Sequence, residues 1–178
     1  MSLAYIALGA NLPSSAGPPE TTLAAAAERL AALGNITARS SLYSTAPVDF
    51  RDQPRFANAV VALQTHLSPQ QLLDSLLAIE LEFGRDRAAS PPNGPRTLDL
   101  DILFYGDMVL NQSGLELPHP RLAGRAFVLV PLHQIAPDLH DPRSGKTVAE
   151  MLGSLPDRAA PDAVAQIECG LWSDTTVR

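Results

Sequence analysis

The 178 residues predict a single α+β domain in which helices pack against a mainly antiparallel sheet. Three observations support this. Segments of period-two apolar alternation and segments of helical spacing follow one another in the order β-α-β-β-α-β. Glycine and proline clusters fall between them, where turns are needed. No repeat, heptad or low-complexity tract divides the chain, and its 46% hydrophobic content, against 18% charged, is enough for one core but leaves little room for two.

The elements follow in order. Leu3 to Leu8 reads as a strand, broken by Gly9, Asn11, Pro13 and the SSAGPP stretch. Leu23, Ala26, Ala27, Leu30 and Leu33 recur at helical spacing from about Glu20, with Gly34 as a stop. Ile36 to Ser44 is expected as a second strand, Thr45 to Pro54 as a proline-bearing loop, and Phe56 to Thr65 as a third strand. Ser68, Pro69 and Gln71 supply an N-cap, a first-turn proline and a capping-box partner for a second helix. Its buried stripe is expected at Leu72, Leu73, Leu76, Leu77 and Phe83, with Glu80 beside the stripe and needing a partner. The loop GRDRAASPPNGP leads into the strand LDLDILF, and Gly106-Asp107 turns the chain into a short strand at Met108 to Leu110. This order is the split βαβ arrangement of ferredoxin-like folds, an antiparallel sheet with helices packed against it. The last third predicts short helical segments broken by prolines, a capping box at Thr147 and Glu150, and a short final strand at Val164 to Ile167.

The segment GPRTLDLDIL, Gly94 to Leu103, carries the chemistry. Successive strand side chains point to opposite faces with a rise of roughly 3.3 Å per residue. Asp99 and Asp101 therefore share one face about 6.6 Å apart, while Leu98, Leu100, Ile102 and Phe104 are expected on the other. Two carboxylates so placed repel each other and resist desolvation, and divalent metal is the simplest compensation. Hard cations on oxygen ligands usually accompany phosphates. A charged edge strand would also place acids here, but it does not account for Arg85, Arg87 and Arg96 just upstream.

Net charge is −6 and the chain has one lysine, Lys146, so no basic block suggests nucleic-acid or membrane binding. An anionic ligand would need a local cluster, and Arg85, Arg87, Arg96, Arg121 and Arg125 provide one in a residue type suited to bidentate phosphate contacts. The single cysteine, Cys169, and an N-terminus unlike a signal peptide give the cytoplasm as the expected compartment.

Other motifs fail. GKT at Gly145 to Thr147 lacks the P-loop glycine, His140 standing in its place. An EF-hand would need a third ligand where Leu103 stands. His133 and His140 lack partners at ligand spacing, whereas His119, held between Pro118 and Pro120, is a candidate phosphate or nucleobase contact.

GPRTLDLDI at Gly94 to Ile102 resembles the signature of the 6-hydroxymethyl-7,8-dihydropterin pyrophosphokinases, enzymes of folate biosynthesis. YIALGANL, YSTAP, DQPRFANAVVAL, IELEFGRDR, LPHPRLAGRAFVLVPL and IAPDL fall in that family's order, from about residue 3 to about residue 155. The resemblance implies a ferredoxin-like α/β/α sandwich, in agreement with the element order, and transfer of pyrophosphate from ATP to the pterin hydroxymethyl oxygen, with release of AMP. It implies Asp99 and Asp101 as ligands of two Mg2+ ions and Arg85 and Arg96 as catalytic arginines. Glu80, Arg87, Arg96, Ile102, His119 and Arg125 are implied at the nucleotide, and Thr45, Pro47, Val48, Phe56, Asn58 and Phe127 at the pterin.

By the same resemblance, residues 1–160 form the pyrophosphokinase domain and 161–178 a C-terminal extension. The expected partners are these two small substrates alone, with no nucleic acid, membrane or second subunit. Ala88, Asn93 and Gly114 depart from the common pattern, where many or some members carry lysine, tryptophan and arginine. Two alternatives are a non-catalytic ferredoxin-like nucleotide sensor and a D-x-D glycosyltransferase. The paired acids argue against the first and the chain length against the second.

Overall fold

The structure, a computed structural model, describes residues 1–47, 52–88, 93–156 and 164–175. Its elements are β1 (Ser2–Ala10), α1 (Pro19–Ala31), β2 (Asn35–Arg39), β3 (Leu42–Thr45), β4 (Phe56–Thr65), α2 (Pro69–Glu82), β5 (Asp99–Tyr105), β6 (Leu110–Gln112), β7 (Leu115–Leu117), α3 (Ala126–Ile135), α4 (Val148–Gly153) and β8 (Val164–Ile167). A six-stranded antiparallel sheet runs in the order β5-β1-β4-β3-β8, with β2 also pairing β4. β4 is long enough to hold β3 along Phe56 to Asn58 and β2 along Val61 to Gln64.

Strand alternation divides the core into two layers. Ala4, Ile6 and Leu8 of β1, Ala59, Val61 and Leu63 of β4, and Leu98, Leu100 and Ile102 in and just before β5 face α1 and α2. Leu23, Ala27 and Leu30 of α1, Leu72 and Leu76 of α2, and Phe83 at the α2 C-cap meet them. On the opposite face Val60, Leu103 and Phe104 pack with Val128, Leu129 and Leu132 of α3 and Val148 and Met151 of α4. The capping boxes expected at Ser68/Gln71 and Thr147/Glu150 are both formed.

Three local expectations are corrected. Ile36 to Ser44 is two strands, because Ser40 and Ser41 interrupt the ladder and the Ser40 hydroxyl accepts the Val60 N–H at 2.9 Å. Phe104 does not share the face of Leu98 and Leu100. A register shift places Tyr5 opposite Phe104 but Ile6 opposite Ile102, so Leu103 is an extra residue and Phe104 turns to the α3 side, edge-on to Tyr5. The short strand expected at Met108 begins instead at Leu110 and pairs with β7, with Gly114 (φ 84) in the connecting turn. A side chain at Gly114 would be strained there, which accounts for glycine at this departure from the common pattern.

The C-terminal residues join the sheet. β8 extends the β3 edge, and Trp172, buried, donates its indole N–H to the Ser40 carbonyl at 2.8 Å, closing the break between β2 and β3.

Candidate active site

α3 covers only part of its sheet face. Along β1 the residues on this face shrink from Tyr5 to Ala7 to Gly9; along β4 they run from Val60 to Asn58 to Phe56; along β5 from Phe104 to Asp101 to Asp99. Where the large apolar residues end, a cavity of about 510 Å³ opens. Register aligns its floor: Gly9 pairs with Asn58 on one side and Asp99 on the other, and Ala7 pairs with Asp101. With strands about 4.8 Å apart, Asp99 and Asn58 lie about 10 Å from each other across the sheet.

Asp99, Asp101, Arg85, Arg87, Arg96, Arg121 and Arg125 all line this cavity, five guanidinium groups against two carboxylates. Arg96 approaches Asp99 at 3.4 Å and Arg87 at 3.8 Å. Asp101 lines the cleft, and burial followed by the charge of Asp99 raises its carboxyl from 3.8 to about 6. Burial pushes the Arg85 and Arg125 guanidinium groups below the ordinary arginine range, Arg85 being drawn back up most by Asp99 and Arg125 pushed further down by Arg121. The Nε and Nη1 of Arg85 and the Nε of Arg96 are buried without a hydrogen-bond acceptor among the described residues. Buried charged donors left unsatisfied are costly, so these atoms call for an anionic ligand.

Glu80, 1% exposed on α2, is the partnered acid the sequence required. Its carboxylate accepts two hydrogen bonds from Arg87, both at 2.8 Å, and the Leu100 N–H at 2.8 Å. It sits behind the cavity wall and fixes both Arg87 and the acidic strand. His119 likewise is not part of the lining. Burial and the charges of Arg125 and Arg121 lower it to about 4, so it is neutral at pH 7, and its Nδ1 accepts the Arg121 N–H at 3.1 Å, which leaves the proton on Nε2. Ile102 is buried in the α1–α2 layer with its side chain away from the cavity.

At the other end of the cleft Phe56, Asn58, Thr45 and Phe127 line the cavity. Asn58 Nδ2 donates to Thr45 Oγ1 at 2.6 Å. Guanidinium groups stand over both rings, Arg96 at 5.0 Å from the Phe56 centroid and Arg125 at 5.5 Å from that of Phe127. Gly9 makes room for Asn58, since a Cβ there would lie 3.0 Å from Asn58 Oδ1. Pro47 is half-buried beside Ala46, which does line the cavity, and Val48 falls outside the described residues.

The sequence reading missed Asn11 and Gln53. Asn11 Nδ2 donates to Gln53 Oε1 at 2.9 Å and to the Pro54 carbonyl at 3.0 Å, while its Oδ1 accepts the Arg96 N–H at 2.8 Å. Gln53 in turn donates to the Asn93 carbonyl at 3.1 Å. Asn11 thus ties the end of β1 to the segments on both sides of the cleft. An asparagine just after a strand was the available signal, but its partners lie 42 or more residues away.

Fold and cleft together define a ferredoxin-like α+β domain with an arginine-lined cleft built around two carboxylates. The sequence matches the family model described as 7,8-dihydro-6-hydroxymethylpterin-pyrophosphokinase over residues 5–137, and the chain belongs to that family. It is 42% identical over 168 residues to a 2-amino-4-hydroxy-6-hydroxymethyldihydropteridine pyrophosphokinase of Synechocystis, covering 94% of this chain and 83% of that protein. A Pseudomonas aeruginosa protein of the same name is 49% identical over 85% of this chain and 91% of its own length. A crystal structure of Plasmodium falciparum HPPK-DHPS shares the fold, with a TM-score of 0.62 at 18% identity over 86% of this chain. This chain spans 43% of that longer one.

Proposed function

We propose that the protein transfers the pyrophosphoryl group of ATP to the 6-hydroxymethyl oxygen of 6-hydroxymethyl-7,8-dihydropterin, a step of tetrahydrofolate biosynthesis. The hydroxymethyl oxygen bonds to the β-phosphorus, the bond from that phosphorus to the α–β bridging oxygen breaks, AMP leaves, and the hydroxyl proton is lost. The single observation that supports this best is the alignment of an arginine-and-carboxylate site with an aromatic and amide slot on one sheet face, in one cavity.

In this reading Arg85 and Arg96, with buried donors already unpartnered, bind the phosphoryl oxygens whose charge grows in the transition state. Arg87 and Arg125 hold the nucleotide phosphates, and His119, neutral, offers its Nε2–H as a donor. Glu80 and Ile102 act from behind, Glu80 by fixing Arg87 and the Leu100 backbone. Phe56 and Phe127 flank the pterin, Asn58 and Thr45 read its amide edge, and backbone groups near Pro47 complete the slot, Val48, expected beside them, lying outside the described residues.

Asp99 and Asp101 would hold two Mg2+ ions. Among the described residues no group of three or more His, Cys, Asp or Glu side chains forms a cage. Two carboxylates suit Mg2+, which keeps water and substrate phosphates in its other positions, and the raised Asp101 carboxyl is relieved by a cation. When bound, the ions would neutralise phosphate charge and lower the pKa of the attacking hydroxyl. Among the described residues no helix is long and apolar enough to cross a membrane. We place the protein in the cytoplasm as a monomer acting on small molecules.

Incubation with Mg2+, ATP and the pterin tests the proposal. AMP formed only when pterin is present, and lost in folded Asp99→Asn protein, is the expected result. ADP as product would overturn it, and nucleotide binding without turnover would favour the sensor.

A further inference from the structure

We infer that the C-terminal strand β8 completes the pterin slot, and that Val164 is a specificity-determining residue of its wall; this rests on the pterin reading above. Val164 lines the same cavity as Asp99 and Phe56, although it lies 27 residues beyond the last residue matched by the family model. Register explains how it reaches the cleft. Val164 pairs directly with Thr45, Thr45 pairs with Phe56, and directly opposed residues on neighbouring strands share a face. Phe56, Thr45 and Val164 therefore form one row across three strands, and Thr45 is also tied to Asn58.

The chemistry of the row changes along it: an aromatic face at Phe56, a hydroxyl at Thr45, a branched alkyl group at Val164. A flat ring whose amide edge is read by Asn58 and Thr45 is thus stopped at the β3 edge by the Val164 methyl groups. Its neighbours in the lining at this end include Ala46 and Ala126, which are small, so Val164 supplies bulk that they do not. β8 is held in place independently of any ligand. Four consecutive pairs join it to β3, and Trp172 beyond it anchors the chain to the Ser40 carbonyl. Ala165, next in sequence, points to the opposite face and is exposed, which provides an internal control.

The test compares wild type, Val164→Phe, Val164→Ala and Ala165→Val for pterin binding in the presence of Mg2+ and a non-hydrolysable ATP analogue. Nucleotide affinity is measured separately, and turnover by AMP release. The expected result is pterin binding weakened about tenfold or more in Val164→Phe, since small changes in pocket volume discriminate at that level. Nucleotide affinity stays within about twofold and Ala165→Val matches wild type. Val164→Ala should shift preference at least about fivefold toward a pterin enlarged at the edge facing β8. Unchanged pterin binding in Val164→Phe, equal losses for pterin and nucleotide, or an unchanged preference in Val164→Ala would overturn the inference. If Val164→Phe does not fold, the Val164→Ala preference decides. Wild-type protein that binds no pterin removes the underlying functional reading, a result distinct from wild type that binds pterin while its Val164 variants behave alike.

Discussion

Asp101→Asn should make the ligand-free protein more stable while abolishing its activity. The wild-type carboxyl titrates near 6 in the fold and near 3.8 when unfolded, so between those values the folded state holds more protons than the unfolded state. Stability therefore falls as pH rises through that window and is fully reduced above it. A shift of about two units at roughly 1.4 kcal/mol each sets an upper bound of about 3 kcal/mol. Interaction with Asp99 and relaxation of the cleft reduce this, so about 1–3 kcal/mol is expected. Urea denaturation of both proteins in EDTA, from pH 4 to pH 8, measures the change in their stability difference across the window. That change cancels any constant effect of the amide. A difference that does not grow between pH 4 and pH 7, or that grows in favour of wild type, would show that Asp101 is not a strained carboxylate and would remove the electrostatic case for a cation at this position.

Four further outcomes follow from individual contacts. His119, lowered to about 4, has the opposite sign: the unfolded state takes up its proton first, so stability falls as pH drops from 6.5 toward 4, and His119→Gln should flatten that loss while NMR titration of wild type finds the ring neutral at pH 5.5. Glu80→Ala strands the Leu100 N–H and frees Arg87, and should cost about 2–4 kcal/mol in denaturant unfolding. Gly9→Ala should push the Asn58 amide off Thr45 and raise the pterin KM about tenfold, with nucleotide affinity little changed by calorimetry. Trp172→Ala should cost about 3–5 kcal/mol through lost burial and an unpaired Ser40 carbonyl, read as a lowered urea midpoint.

The elements that were legible in the sequence are those whose signals are local. The β-α-β-β-α-β order, apart from the break that splits its second strand in two, both capping boxes, the paired aspartates and the final strand could all be read from spacing within a few residues. The bulge at Leu103 could not, because both LDLDILF and its partner strand are apolar on either side of the shift, and alternation alone does not show where a residue is skipped. The break at Ser40 depends on the Val60 N–H and on Trp172, 132 residues away. The same distinction holds within the site. Asp99, Asp101 and the arginines stand out by type, whereas Asn11, Gln53 and Val164 are ordinary residues whose place depends on long-range contacts, loop-to-loop hydrogen bonds for the first two and strand pairing for the third.

The bulge and the cleft are connected physically. Without the extra residue at Leu103, strict alternation would carry the face of Asp99 and Asp101 on to Leu103 and Tyr105, and Phe104 would point to the α1–α2 side. With it, Leu103 and Phe104 both serve the α3 layer, where Phe104 meets Tyr5. The end of β5 toward Tyr105 is thereby packed under α3 and α4, while its beginning, at Asp99, stays open. The two aspartates are thus fixed on a strand anchored by a tightly packed apolar segment a few residues away. Such an anchor is needed because Asp101, desolvated beside Asp99, lowers the stability of the fold at neutral pH. Five arginines around two acids in a chain of net charge −6 concentrate positive charge in one cleft of a protein that otherwise repels anions, so affinity for a polyphosphate should be local and strongly salt-dependent.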